Sequence, residues 1–174
     1  FINSSADYGG ALVQLGGKIF IDNCEFTNNT ALFNGGAIYL SYLNAVINST
    51  TIKGNKLSYE NFSCGGGIYC DVFKITIENT EFINNSYNGV YAYDSELIMR
   101  NSVFTNNGEG IHGVFLIYNL KDIYPGKDKI ILNDTDYDSD FYEISDVTLI
   151  TNNITVTNLP SRYDSRDWGW VSPV

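Results

Sequence analysis

Apolar residues along this chain come in short alternating bursts, such as Ile19 and Ile21, Ile75 and Ile77, and Leu97 and Met99. Alternation sends successive side chains to opposite faces and so predicts strands. Clusters of Asn and Gly separate the bursts and predict turns. No stretch sustains a 3.6-residue period, so helices are not expected. The bursts also recur as a unit. The segment Ile21 to Asn29 returns as Ile47 to Asn55, as Ile77 to Asn85 and as Met99 to Asn107, while Phe1-Ile2-Asn3 is the tail of an earlier copy. Its anchor positions Phe1, Phe26, Ile52, Phe82 and Phe104 stand 25, 26, 30 and 22 residues apart. A second motif follows each anchor. It reads Gly9-Gly10-Ala11-Leu12, Gly35-Gly36-Ala37-Ile38 and Gly66-Gly67-Ile68-Tyr69, and decays to Gly89-Val90-Tyr91 and Gly110-Ile111.

Short strands repeated at this interval with no helix between them predict an all-β chain: a right-handed parallel β-helix of about five coils. Each strand then pairs with its equivalent one coil away, at ~4.8 Å. Phe26, Ile52, Phe82 and Phe104 are expected to stack as one inward ladder, and Leu12, Ile38, Ile68, Val90 and Ile111 as another. Asn23, Ser49, Asn79 and Asn101 fall at a corner, where Asn tolerates a left-handed backbone and can bond to its neighbour in the next coil. The paired glycines supply positive φ at further corners. A Greek-key sandwich is the competing architecture, but it would not hold one residue type at one place in every repeat.

Composition narrows the function classes. Charged residues are 17% of the 174 and sum to −10, with ten Lys and Arg dispersed along the chain. Nucleic-acid binding requires clustered cations to neutralise phosphates, so it is not expected. No apolar run approaches the ~18 residues of a membrane span. The sequence begins at Phe1 without Met, and it is expected to be an excised piece of a longer chain that carries a targeting segment upstream. Cys24, Cys64 and Cys70 are an odd number and form no disulfide framework, although Cys64 and Cys70 are near enough in sequence to pair. With His112 the single histidine, no Cys/His zinc spacing is present, and the thiols read as small buried hydrophobes. No metal and no cofactor is expected. Asn accounts for 21 residues, and Asn3, Asn28, Asn48, Asn61, Asn84, Asn133 and Asn153 fit the N-glycosylation acceptor pattern, which is compatible with a surface glycoprotein.

The recurring pair Gly-Gly-Ala-(Ile/Leu) and Phe-x-x-Asn, the latter at Phe26–Asn29, Phe82–Asn85 and Phe104–Asn107, resembles the polymorphic outer-membrane protein repeat and the large adhesin-like β-helix proteins of microbial surfaces. The resemblance covers roughly residues 1–115. It implies an extracellular, cell-surface protein that adheres or contacts a cell wall, and names no ligand.

From about Lys121 the pattern changes. Lys129–Leu132, Val147–Ile150 and Ile154–Val156 predict further strands without Asn/Gly corners, in an acidic, β-rich connector over 121–158. Asp134, Asp136, Asp138 and Asp140 alternate as in part of a calcium loop, but lack its turning glycine and its placed Glu, and read as a solvated acidic turn. Residues 159–174 resemble the opening strand of papain-like cysteine peptidases at Leu159, Pro160, Asp164, Arg166, Gly169, Val171, Pro173 and Val174; Ser165 departs from the usual aromatic. The resemblance implies a peptidase whose nucleophile and its partners lie after Val174, so that residues 1–174 carry no catalytic centre.

Three ladders are candidate sites. The first is an outward aromatic column, Val13, Tyr39, Tyr69, Tyr91 and His112, which forms either a strip for stacking sugar rings or a cross-strand brace. The second is polar: Asp22, Asn48, Glu78 and Arg100. It offers an exposed ion pair and, less favourably, two carboxylates ~10 Å apart for polysaccharide cleavage by a β-helix enzyme. The third is the insertion Lys56–Ser63, where Tyr59 and Phe62 are contact candidates. The reading is a non-catalytic β-helix module over 1–120 that binds a cell-wall polymer, a glycan or another cell's surface. The expected ligand residues are Tyr39, Tyr69, Tyr91, Tyr59 and Phe62, and the module is expected to be the stalk of a secreted peptidase.

Overall fold

The computed structural model describes residues 1–59, 64–71, 74–93 and 96–107, together with the strands 115–118, 129–133, 136–137, 142–144, 148–152 and 155–156. In chain order the first coil holds β1 (Ser5–Tyr8), β2 (Leu12–Asp22) and β3 (Glu25–Thr27), and the second holds β4 (Thr30–Asn34), β5 (Ile38–Asn48) and β6 (Thr51–Lys53). The third holds β7 (Lys56–Leu57), β8 (Ile68–Asp71), β9 (Lys74–Glu78) and β10 (Glu81–Ile83), and the fourth β11 (Val90–Tyr93), β12 (Glu96–Arg100) and β13 (Val103–Thr105). Then follow β14 (Phe115–Tyr118), β15 (Lys129–Asn133), β16 (Asp136–Tyr137), β17 (Tyr142–Ile144), β18 (Thr148–Asn152) and β19 (Thr155–Val156). Every strand pair is parallel and joins equivalent positions of successive coils, which makes the molecule a β-solenoid with no helix among the described residues.

The inward ladders follow from the repeat. Phe26, Ile52, Phe82 and Phe104 are in register and fully buried, with the Phe82 and Phe104 rings stacked 4.4 Å apart. Ile21, Ile47, Ile77 and Met99 form a second buried column across the core. Each such side chain fills the space above its equivalent, so the core is continuous along the axis. Cys70 lies in a further inward column between Leu40 and Ala92, where it serves as the small hydrophobe expected of it. No disulfide forms among the described residues.

The corners carry the polar signature of the sequence. Asn23, Ser49, Asn79 and Asn101 all have positive φ, between 45° and 51°, as the repeat predicts. A second left-handed corner runs through Asn3, Asn28, Gly54, Asn84 and Asn106. The residue after it turns inward, and Asn29, Asn55, Asn85 and Asn107 are buried. Each of the first three donates its backbone N–H and its side-chain amide to the Oδ1 of the next, at 2.8–3.1 Å. The amides of Asn55, Asn85 and Asn107 also donate to the carbonyls of Phe26, Ile52 and Phe82. This ladder satisfies the polar groups that the turn buries.

The glycine motif divides its labour. Gly9, Gly35 and Gly65 supply the positive φ, whereas a Cβ on Gly36 or Gly66 would collide with the carbonyl of Gly66 or Ser86 in the next coil. The third copy is therefore Gly65-Gly66-Gly67-Ile68, one residue earlier than the sequence alignment of the motif suggests. A larger correction concerns the decayed copy at Gly110. Val90 pairs with Phe115 and Tyr91 with Leu116, so the two columns pass to β14, while Ile111 and His112, the residues assigned to them, lie outside the described residues. A single glycine does not fix register, and the apolar run Phe115–Tyr118 pairs along its whole length. Strands also occur where the sequence predicts them after Lys121, and β15 and β18 extend the β9–β12 ladder in parallel.

Candidate functional site: an outer aromatic tract

The aromatic column forms. Val13, Tyr39, Tyr69 and Tyr91 are partners in β2, β5, β8 and β11. The Tyr39 and Tyr69 rings are 5.0 Å apart and 4° from parallel, and the Tyr69 and Tyr91 rings 5.3 Å and 10°. That geometry changes what the column can do. Rings stacked on one another cover their own faces, so Tyr69 offers only its edge and hydroxyl to solvent. A sugar ring binds to an open face. The inner part of the column is thus a brace, with each stacked pair worth about 0.5–1.5 kcal/mol beyond its burial.

The exposed rings lie at the other end. Tyr8 meets Tyr39 edge-on, with centroids 5.3 Å apart and planes at 65°, and contacts Phe33 at 5.2 Å and 36°. Phe33 in turn meets Tyr59 at 5.9 Å and 65°. Tyr59, Phe33, Tyr8, Tyr39, Tyr69 and Tyr91 therefore form one continuous tract that crosses from the β1–β4–β7 sheet to β5, β8 and β11. Tyr8 and Tyr59 are 44% and 47% exposed, whereas Tyr91 is buried. Sequence reasoning placed Tyr39, Tyr69, Tyr91 and Tyr59 in two separate candidate sites and missed Tyr8 and Phe33, which join them. The signal was present: Tyr8, Phe33 and Tyr59 each stand seven residues after the anchors Phe1, Phe26 and Ile52, an aromatic column that the sequence reading did not trace. Phe62 and His112 lie outside the described residues, as do the side chains of Asp134 to Asp140 and the whole of 159–174.

The phenols of Tyr39 and Tyr69 stay protonated. Burial, and then the Asp71 carboxylate, raises Tyr39 above the usual tyrosine range; burial, then Tyr39 and Asp71, raises Tyr69 further. Both hydroxyls therefore remain hydrogen-bond donors at any physiological pH. Burial likewise pushes the Cys64 thiol up, against a hydrogen bond with Tyr91. Beside the tract, Tyr42 has φ +56° and is 67% exposed. A left-handed backbone costs a bulky residue about 1–2 kcal/mol.

The polar ladder forms in register as Asp22, Asn48, Glu78 and Arg100. Asp22 accepts from the Asn48 amide at 2.7 Å, and Glu78 pairs with Arg100 at 2.6 Å. Both carboxylates are engaged within the column, and Asn48 stands between them. No three His, Cys, Asp or Glu side chains converge among the described residues. Of the glycosylation acceptors, Asn3, Asn28 and Asn84 are exposed at one left-handed corner, whereas the Asn48 amide is tied to Asp22.

The family model described as right handed beta helix region matches residues 2–121. The chain belongs to that family, and its parallel solenoid is a right-handed β-helix. No curated protein and no solved structure matches the sequence.

Proposed function

We propose that this β-helix is a non-catalytic module of the cell surface that binds a cell-wall polymer or glycan through the aromatic tract. The observation that carries the reading is the tilted, exposed end of the tract, Tyr59, Phe33 and Tyr8 against Tyr39. Exposed aromatic rings with phenol donors suit a ligand that combines apolar ring faces with hydroxyls. The strands β1, β4 and β5 position Tyr8, Phe33 and Tyr39 without ordering a loop, which lowers the entropic cost of binding. In this reading residues 1–120 form the binding stalk and 121–158 connect it to a secreted papain-like peptidase, which opens at 159–174. Binding would hold the peptidase at the wall polymer on which it acts.

The test is retention of the whole chain on insoluble cell walls and polysaccharides. Retention is expected to weaken about tenfold in Tyr8→Ala/Tyr59→Ala, a loss of about 1.4 kcal/mol. Equal retention of this double variant overturns the tract as the binding surface. Release of new reducing ends from the same polymers, abolished by Glu78→Gln, would instead assign the polar column to hydrolysis.

A further inference from the structure

The bend that follows the aromatic column is built differently in successive coils. In β2 it is made by Gly16 and Gly17, at φ +75° and +86°, and a Cβ at either would meet nothing within 4 Å. In β5 the same bend falls at Tyr42, between the paired positions Leu15↔Ser41 and Gly17↔Leu43. Glycine is the unstrained solution to a left-handed turn. The second coil uses a bulky side chain there and leaves it two-thirds exposed. Packing does not compensate for the strain. Tyr87 provides the contrast, since it too is left-handed, at φ +61°, but half-buried, at a corner where earlier coils have glycine. Strain retained at an exposed aromatic points to a use for its side chain.

The surroundings of Tyr42 define that use. Its phenol acts electrostatically on that of Tyr39, as do Tyr8 and the Asp71 carboxylate, and the Ser41 side chain hydrogen-bonds the Tyr39 phenol. In β5 Tyr39 pairs with Tyr69 and Ser41 with Asp71, so Tyr42, the residue after Ser41, follows the column along the strand and comes beside the position of the Asp71 carboxylate. That carboxylate, on a chain of net charge −10, repels polyanions and accepts hydrogen bonds from hydroxyls. We infer that Tyr42 is a ligand-contacting side chain at the margin of the Tyr8–Tyr39 surface, and that the ligand taken there is an uncharged glycan. A sugar ring covers the Tyr42 phenyl while neighbouring hydroxyls meet the Tyr39 hydroxyl and the Asp71 carboxylate. This deepens the proposed function and rests on it.

The experiment measures affinity and thermal midpoint for the whole chain and three variants: Tyr42→Gly, Tyr42→Phe and Tyr8→Ala/Tyr59→Ala. The probes are cellohexaose, chitohexaose and mannohexaose, with hexagalacturonate as the anionic comparison. Tyr42→Gly is expected to weaken the bound neutral hexasaccharide about fivefold or more, with a midpoint equal to or above that of the native chain, and Tyr42→Phe to lose less. Affinity of Tyr42→Gly within about twofold of native overturns the inference, and the tract reading still stands if Tyr8→Ala/Tyr59→Ala loses binding. A lower midpoint in Tyr42→Gly also overturns it, because the side chain would then be holding the fold. Preference for hexagalacturonate overturns the ligand class. Binding of no probe by the native chain removes the tract reading and this inference with it.

Discussion

The buried asparagine ladder and the tyrosine column are both built from one side chain per coil, yet they end differently. Asn29, Asn55, Asn85 and Asn107 bond to one another and to backbone carbonyls at every step, so the ladder closes on itself. Tyr39, Tyr69 and Tyr91 begin in the same way, with rings stacked in parallel. At Tyr8 the stacking gives way to tilted contacts, and the residue is 44% exposed. A strictly repeating ladder uses its contacts to hold the solenoid together. The proposed binding surface lies where stacking stops, at the tilted rings of Tyr8, Phe33 and Tyr59.

The most severe way to break the first ladder is Asn85→Ala. It leaves the Asn55 N–H and one proton of the Asn55 amide without their partner in a buried setting, and takes the side-chain donor from the Ile52 carbonyl. At about 1–3 kcal/mol for each orphaned group, the expected loss is about 3–5 kcal/mol, read from urea unfolding. A loss below about 1 kcal/mol would mean that water reaches the ladder. Tyr69→Ala removes the middle ring of the second column and both of its stacking contacts. We expect it to cost about 2–3 kcal/mol, less than Asn85→Ala, because an exposed edge already limits the burial lost.

Alkaline pH sharpens the same contrast without mutation. Burial raises Tyr69 and Tyr39 above the tyrosine value of 10.0, and Cys64 above the cysteine value of 9.0. Between these ordinary values and the raised ones, the folded chain binds more protons than the unfolded chain, so stability falls as pH rises. The contribution is complete below about pH 9 and is lost progressively above pH 9–10. The urea midpoint should therefore hold from pH 7 to 9 and then decline, and the phenolate absorbance of Tyr69 should appear with unfolding. Tyr69→Phe should flatten the decline. The smallest effect belongs to Arg100→Ala. Its ion pair with Glu78 is partly exposed, and its removal should change stability by less than about 1 kcal/mol, and less still in high salt.

Much of this molecule was legible in its sequence because a solenoid converts sequence spacing into spatial stacking. Once Phe26, Ile52, Phe82 and Phe104 are recognised as equivalent, their burial follows, and so do the left-handed corners at Asn23, Ser49, Asn79 and Asn101. The same rule placed Tyr39, Tyr69 and Tyr91 in one column and Asp22, Asn48, Glu78 and Arg100 in another. It lost its grip at Gly110, where one glycine remained of the motif and the register moved on to Phe115. The tertiary structure alone decided which way the rings face. Whether tyrosines stack face to face or open to solvent depends on side-chain rotamers and on Tyr8 and Phe33, which come from a different sheet. Periodicity fixes which backbone positions are neighbours. It does not determine the tilt of a ring, nor which columns of two different sheets meet.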